Sequence, residues 1–388
     1  MQNKNAVLDG KTGLIIKKQR YLSLDVLRGL TICLMIIVNT PGSWSSVYAP
    51  FLHAPWHGFT ITDLVFPTFL FVVGNAMSFS LKKFKDKPEA NFLRKVAKRT
   101  ALIFLIGLFL NYFPFVFRNE LNTIELKNLL DIRIMGVLQR IALCYGIAAL
   151  VIHYLSKKGI IIFSVLTLLG YWAIMFYFGS QPSPYSLENN AALKFDYLLI
   201  PIENLYGGYG IPFDPEGLLS TLPAVINVII GYFAGYYIQK FGNKNSTVLK
   251  LVVSGVLLIG IALVWDPFFP INKPIWTSSY VLYSSGFTLL TLAILMWLIE
   301  VKKFQNWTYF FEVFGRNPLF IYILSGLFIK LMSLITIDGE SLTSLVYQNL
   351  FLSWTEGKNA SLLFAIFYML VLWLIGYFMD KKKIYIKV

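Results

Sequence analysis

The sequence predicts an all-α polytopic membrane protein of about ten transmembrane helices, with both termini cytoplasmic. Three observations predict it. Of the 388 residues, 56% are hydrophobic and only 14% charged, with a mean hydropathy of +0.63, against about 25% charged residues in soluble domains. Apolar runs of the roughly 20 residues that cross a bilayer recur along the whole length, so residues 1–388 form a single transmembrane domain. Finally, 24 of the 34 Lys and Arg residues fall in every second connection. Cytoplasmic loops carry such an excess because basic residues resist translocation. Insertion topology therefore accounts for the net charge of +14, and a nucleic-acid partner is not expected.

The elements follow in chain order. A polar tail, 1–20, carries five basic residues and has no apolar core followed by a small-residue cleavage site, so it does not read as a removable signal peptide. The first span, 24–40, ends at Asn39, and the connection 41–59 holds His53 and His57. Span 60–81 opens at Asp63 and leads into a cytoplasmic linker, 82–99, with eight basic residues. Spans 100–117 and 134–154 follow, then the short basic turn 156–158 and span 159–178. The longest loop, 179–217, is extracytoplasmic and rich in turn formers and aromatics (QPSPYS, LYGGYGIPFDPEG), which suits an ordered lid. Spans 218–238 and 248–265 flank the basic connection 240–250, and WDPFFPINKPIW leads outside to span 277–299. Lys302 and Lys303 precede span 308–332; the outward segment 333–357 and span 358–379 complete the chain before the basic tail DKKKIYIKV.

Three arginines, Arg28, Arg140 and Arg316, fall within predicted spans, where a charge costs at least a few kcal/mol and marks a ligand site or an internal pair. Arg28 stands three residues after Asp25 on the same helix face, so pairing with it is one reading and a ligand role the other. Arg316 lies roughly 12 Å into its span by helical rise, with no acidic residue nearer in sequence than Glu312. Its setting, FGRNPLF, adds Asn317 and Pro318, which interrupt regular helix. Arg140 follows Gln139 in GVLQRIALCYG and invites the same two readings. The twenty Asp and Glu residues keep to loops and span ends, which disfavours a proton-coupled transporter with a midplane carboxylate relay. Cys33 and Cys144 lie in apolar runs and suggest neither a disulfide framework nor a cysteine metal site.

Only three histidines occur, two of them in HAPWHGFTITDL at the mouth of the second span. Pro55 between His53 and His57 argues against a helical metal pair, and His153 belongs to the cytoplasmic end of another span, so no metal is expected. A histidine base, the Asn39 amide at the same surface and the Asp63 carboxylate at the rim resemble an acyl-transfer site, while hydrogen bonding at the headgroup boundary is the plainer reading. Trp44, Tyr48 and Trp56 line a pocket or form an aromatic belt. Asp214 and Glu216 either bind acceptor groups or shape the turn DPEG before the sixth span.

The ordered series SLDVLRGLTICLMIIVN, HAPWHGFTITDLVFPTFLFVVG, RIMGVLQRIALCYGIAA, DPEGLLSTLPAVI, PINKPIWTSSYVLYSSG and FGRNPLFIY resembles, across nearly the whole chain, the heparan-α-glucosaminide N-acetyltransferase family of transmembrane acyltransferases with its bacterial relatives. The resemblance implies transfer of an acetyl group from cytoplasmic acetyl-CoA to an amino sugar on the far side of a bacterial inner membrane. It puts catalysis on His53, as general base or transient acetyl carrier, supported by Asn39. Arginine suits the phosphates of CoA, so Arg28, Gln139, Arg140, Arg316 and Asn317 are the donor-side candidates. Trp56, His57, Asp63, Asp214, Glu216, Asn272 and Lys273 are the acceptor-side candidates. The implied partners are a small-molecule or glycan amino sugar and membrane lipid, with a homodimer allowed. Two departures concern the acceptor: TPGSWSSVYAPFL stands where animal members carry a glycine-rich segment, and His57 where they carry asparagine. O-acylation of a surface polysaccharide and transport of a glycan or lipid-linked substrate are the competing functions.

Overall fold

The computed structural model describes residues 6–8, 15–17, 21–84, 87–119 and 123–386. The expected tail, 1–20, lies outside the described residues apart from an antiparallel pairing of Ala6–Leu8 with Ile15–Lys17. The rest is overwhelmingly helical. Eight described helices are long and apolar enough to cross a membrane: α1 (Leu22–Asn39), α2 (Ile61–Ser80), α4 (Val137–Tyr154), α5 (Lys157–Phe178), α7 (Leu218–Phe241), α8 (Asn245–Trp265), α9 (Ser278–Met296) and α13 (Gly357–Lys381), with α2 and α9 each running on by about a turn. The chain is an integral membrane protein of all-α class. Completing the helices are α3 (Glu89–Tyr112), the nine-residue α6 (Ala191–Leu199), α10 (Thr308–Arg316), α11 (Pro318–Leu334) and the short α12 (Leu342–Tyr347).

Each of the ten predicted spans falls on helix, and two depart from their expected form. The helix on 100–117 begins at Glu89 and ends at Tyr112. Its first half carries Arg94, Lys95, Lys98 and Arg99, which continue a helix well while keeping it from passing as an apolar span. It stops before Pro114, which disfavours helical backbone at the preceding residue. The span on 308–332 is broken into α10 and α11, bent by 82° at Arg316–Asn317–Pro318. Pro318 opens α11, the position where its missing N–H costs nothing. Counting that pair as one gives nine.

At the centre, α2 and α7 cross with backbone in contact. A Cβ on Gly74 would meet the Val228 carbonyl oxygen at 1.8 Å, and one on Gly231 would meet that of Phe71 at 1.9 Å. Two glycines thus make the close approach that membrane helices use in place of a hydrophobic driving force. Around this crossing, α1, α4 and α9 bury Ile32, Ile36, Leu70, Ala142, Val228 and Leu292. The outer helices α5 and α8 leave most of their apolar length uncovered, including Leu166 and Leu257, as lipid-facing helices do.

The antiparallel succession of helices brings five connections to the end of the bundle where α1 terminates: 41–60, 113–136, 179–217, 266–277 and 335–356. They interlock through hydrogen bonds of the Trp56 indole to the Tyr185 carbonyl (2.9 Å), the Asn272 amide to the Trp56 carbonyl (2.9 Å) and Asn204 to the Ile132 carbonyl (2.8 Å). The turn formers and aromatics of these loops make ordered structure.

Candidate active site

The site is built on the first turn of α2. Thr60 caps that helix, and Asp63, three residues on, reaches back: its Oδ2 accepts the Thr60 backbone N–H (3.0 Å), the Thr60 hydroxyl (3.0 Å) and the Ala54 N–H (3.1 Å). The carboxylate is buried, fixed by local chain and favoured by the helix N-terminus. Its other oxygen lies 2.7 Å from Nδ1 of His53. A carboxylate only accepts, so Nδ1 carries the proton and Nε2 presents its lone pair. The connection between them turns at Gly58, whose φ of +113° suits glycine and whose N–H donates to the Ile271 carbonyl (2.9 Å).

Ile271 introduces the second half of the site. Asn272 is fully buried; its amide donates to the Trp56 carbonyl and toward His57 Nδ1 (3.3 Å), while its oxygen accepts the Ile275 N–H (2.9 Å). This clasps the loop before α9 to the histidine loop. Burial, the larger effect, lowers the His57 pKa, while Asp266 works the other way. Trp276 holds a φ of +50°, uncommon for a bulky residue, and is pinned by its indole bond to Asn227 (3.0 Å) and by the Arg140 guanidinium 4.8 Å above its ring. The result delivers Lys273: its Nζ lies 3.1 Å from Nδ1 and 3.4 Å from Nε2 of His53, and 3.6 Å from Asp63 Oδ1. Burial pulls the Lys273 ammonium below its ordinary pKa, against the opposing pull of Asp63 and Glu216.

Two chambers meet here. The outer one, about 590 Å³, has walls of Trp44, Phe51, Tyr206, Tyr209 and Trp276. The inner one, about 120 Å³, runs between α1, α2, α4 and α11 past Asn39, Met35, Phe69, Ile141 and Tyr322. Both are lined by His53, Lys273, Glu216, Thr62, Val38 and Val137. The imidazole thus stands at the junction, and Asn39 faces the inner chamber without a side-chain hydrogen bond to any described residue.

Of the remaining acceptor-side candidates, Asp214 and Glu216 are already claimed. Arg133 donates from Nε and NH2 to both oxygens of Asp214 (2.9 and 2.6 Å) and from NH2 to Glu216 (2.5 Å), with its guanidinium 4.5 Å over the Tyr206 ring. Burial works against this guanidinium's charge, but the two carboxylates outweigh it and raise its pKa. Asp214 also accepts the Glu216 N–H, which shapes the DPEG turn, while Glu216 lines both chambers. Nothing local in the sequence announces Arg133's partner 81 residues away. Tyr206 and Tyr209 belong to the aromatic stretch LYGGYGIPFDPEG, whereas nothing local singles out Tyr322. The TITD capping pattern, by contrast, was a readable sign that Asp63 is held in place.

The five donor-side candidates divide, and none lines either chamber. Arg28, Arg316 and Asn317 sit at the opposite end of the bundle. Arg316 does not lie deep in a span without partners: α10 bends away, and Arg316 bonds Asp380 at the end of α13 (2.5 Å) and Glu312 (2.9 Å). Arg28 meets Asp25 (3.4 Å) and the Gly315 carbonyl (3.1 Å), and Asn317 bonds the backbone of Ile384 and Ile386. Arg140 is fully buried beside the site, donating to Ser220 and to the Gly217 carbonyl (3.1 Å), and its Nε and Nη1 have no hydrogen-bond partner among the described residues. Gln139 is buried against Gly107 of α3.

Residues 20–261 match the family described as heparan-alpha-glucosaminide N-acetyltransferase, catalytic. The chain is 26% identical to the heparan-alpha-glucosaminide N-acetyltransferase of Homo sapiens over an alignment of 360 residues, covering 78% of this chain and 52% of the human protein. Its Mus musculus counterpart is 25% identical over 357 residues, covering 78% and 53%. The chain spans about half the length of the curated relatives it matches.

Proposed function

Since the chain belongs to the heparan-α-glucosaminide N-acetyltransferase family, we propose that it is a transmembrane N-acetyltransferase, moving an acetyl group from cytoplasmic acetyl-CoA to an amino sugar on the extracytoplasmic side of a bacterial inner membrane. The observation that carries this reading is the position of His53, at the junction of two chambers with Nδ1 tied to Asp63 and Nε2 free of the carboxylate. The inner chamber receives the acetyl thioester from within the bundle. The outer one, with aromatic walls and polar rim, suits a sugar ring, whose C–H faces pack on aromatics while its hydroxyls find hydrogen bonds. The charge asymmetry of the connections supports a cytoplasmic donor side opposite the His53 end.

The acceptor amine attacks the thioester carbonyl carbon as His53 Nε2 takes its proton. Asp63 holds the ring and stabilises the imidazolium that forms. Collapse of the tetrahedral intermediate breaks the C–S bond, and the proton on His53 passes to the departing CoA thiolate. Asn39, which lines the inner chamber, donates an amide hydrogen bond to the developing oxyanion in this reading.

The test follows CoA thiol release by purified protein in detergent, with acetyl-CoA and a panel of hexosamines that includes glucosamine. Release is expected to require the amine and to vanish in His53→Asn, which still binds acetyl-CoA. A thioester left intact with every acceptor argues for a carrier, and release with hydroxyl acceptors alone argues for O-acylation.

A further inference from the structure

Lys273 lines both chambers at their junction beside His53. Resting on the transferase reading above, we propose that its ammonium is the cation that faces the carbonyl oxygen of the thioester as that oxygen becomes negative.

The geometry is specific. With Nδ1 of His53 committed to Asp63, the Lys273 ammonium cannot donate to it at 3.1 Å; its open directions are toward Nε2, 3.4 Å away, and into the two chambers it lines. An acceptor nitrogen hydrogen-bonded to Nε2 needs the thioester carbonyl carbon about 3 to 3.5 Å away, which puts that carbonyl at the junction of the two chambers. Lys273 Nζ, 3.4 Å from Nε2 and lining both chambers, is the cation within reach of a carbonyl oxygen placed there. Asn39, which lines the same inner chamber, offers the oxyanion a neutral donor, and Lys273 offers it a charged one.

The local chain holds Lys273 at this spot. The Trp276 N–H donates to the Lys273 carbonyl (3.0 Å), closing a turn that Asn272 clasps to the histidine loop. The charged groups facing the ammonium are Asp63 and His53 from the α2 entrance, Glu216 from the turn before α7 and Arg140 from α4. Burial, the largest effect, makes the ammonium proton easier to lose and Arg140 adds to it, while Asp63 and Glu216, the latter shared with Arg133 on the wall of the outer chamber, hold it in place.

During turnover the acceptor nitrogen forms its bond to carbon and the carbonyl π pair moves onto oxygen opposite Nζ. The proton leaving nitrogen goes to His53. As the carbonyl re-forms, the C–S bond breaks and CoA leaves. Lys273 keeps its own proton throughout, so its working form is the ammonium, and activity falls as pH rises through its pKa.

The test compares Lys273→Met and Lys273→Arg with wild type for kcat, KM, acetyl-CoA binding and pH profile. Lys273→Met is expected to lower kcat by about 100-fold or more while acetyl-CoA affinity changes by less than about threefold. Lys273→Arg is expected to keep part of kcat and lose the alkaline limb, because guanidinium stays charged. If Lys273→Met does not fold, Lys273→Cys treated with bromoethylamine restores an amine; turnover is expected to return with its alkaline limb at lower pH, since sulfur withdraws electrons from that amine. Near-native kcat in Lys273→Met, affinity lost in step with kcat, or no recovery on aminoethylation would each overturn the proposal. An inert wild type sinks the transferase reading and this inference with it; an active wild type beside an unaffected Lys273→Met sinks this inference alone.

Discussion

Asp63 Oδ1 stands 2.7 Å from His53 Nδ1, although the two lie ten positions apart in the chain, one in a loop and the other on a helix. The helix cap makes this possible: one carboxylate oxygen is consumed by Thr60 and Ala54, so the other is aimed by the start of α2 itself. Asp63→Asn preserves the size and the capping oxygen but offers an amide where Nδ1 needs an acceptor, and the imidazole turns to the wrong tautomer. We expect kcat to fall by roughly 10³ to 10⁴ with melting temperature little changed. Steady-state transfer measured beside thermal unfolding checks this, and an active Asp63→Asn enzyme contradicts the dyad.

Asn39 ends α1 with its side chain turned to the inner chamber and no described residue to bond. Removing it costs the fold little, since no buried partner is orphaned. If the amide serves the developing oxyanion, Asn39→Ala lowers kcat by about 100-fold at nearly unchanged stability. A variant that instead loses stability and retains kcat shows Asn39 to be a helix terminator and nothing more.

Arg133 neutralises Asp214, which is buried, and steadies Glu216 at the chamber junction. Breaking such a pair from one side leaves an uncompensated buried carboxylate, at a cost of about 3 kcal/mol or more. Arg133→Met is therefore expected to melt well below wild type, whereas Asp214→Asn loses less because the arginine retains Glu216. Lysine at 133 cannot span both oxygens of Asp214 and should rescue only partly. Unfolding of the three variants in detergent, followed by acceptor KM on those that fold, separates support of the fold from acceptor binding.

How much of this was readable in one dimension depends on whether the information is local. Apolar runs such as those of α5 and α8 declare themselves, because a bilayer asks only for length and hydrophobicity. The beginning of α3 did not, since Arg94 and Lys95 look like loop charge until a helix is seen beneath them. Arg316 was misread in depth: the rise per residue assumes a straight helix, and the 82° bend carries the side chain to Asp380 instead. His53, Asn39 and Asp63 could be grouped because all three sit at adjoining ends of consecutive helices. Lys273 and Arg133 reach the same chambers through contacts 220 and 81 residues apart, and no periodicity or spacing reports those.

Asp196, on α6 outside the spanning helices, provides a stability test that does not involve turnover. One of its oxygens accepts the Leu218 N–H at the start of α7 (2.9 Å), while the other is buried without a hydrogen-bond partner among the described residues. Burial, with Asp214 adding to it and the Leu218 bond opposing, raises this carboxyl from 3.8 to about 7. A raised acid prefers its proton in the folded state. Its contribution is most favourable below the unfolded pKa of 3.8 and is lost progressively as pH climbs to about 7, above which the folded protein bears a buried anion. Asp196→Asn keeps an oxygen for Leu218 and removes the titration. We therefore expect the variant to match wild type near pH 4 and to melt at higher temperature at pH 8, flattening the dependence between them. Melting curves across that range, in one detergent at constant ionic strength, decide it: parallel curves would mean that Asp196 holds no proton in the folded protein.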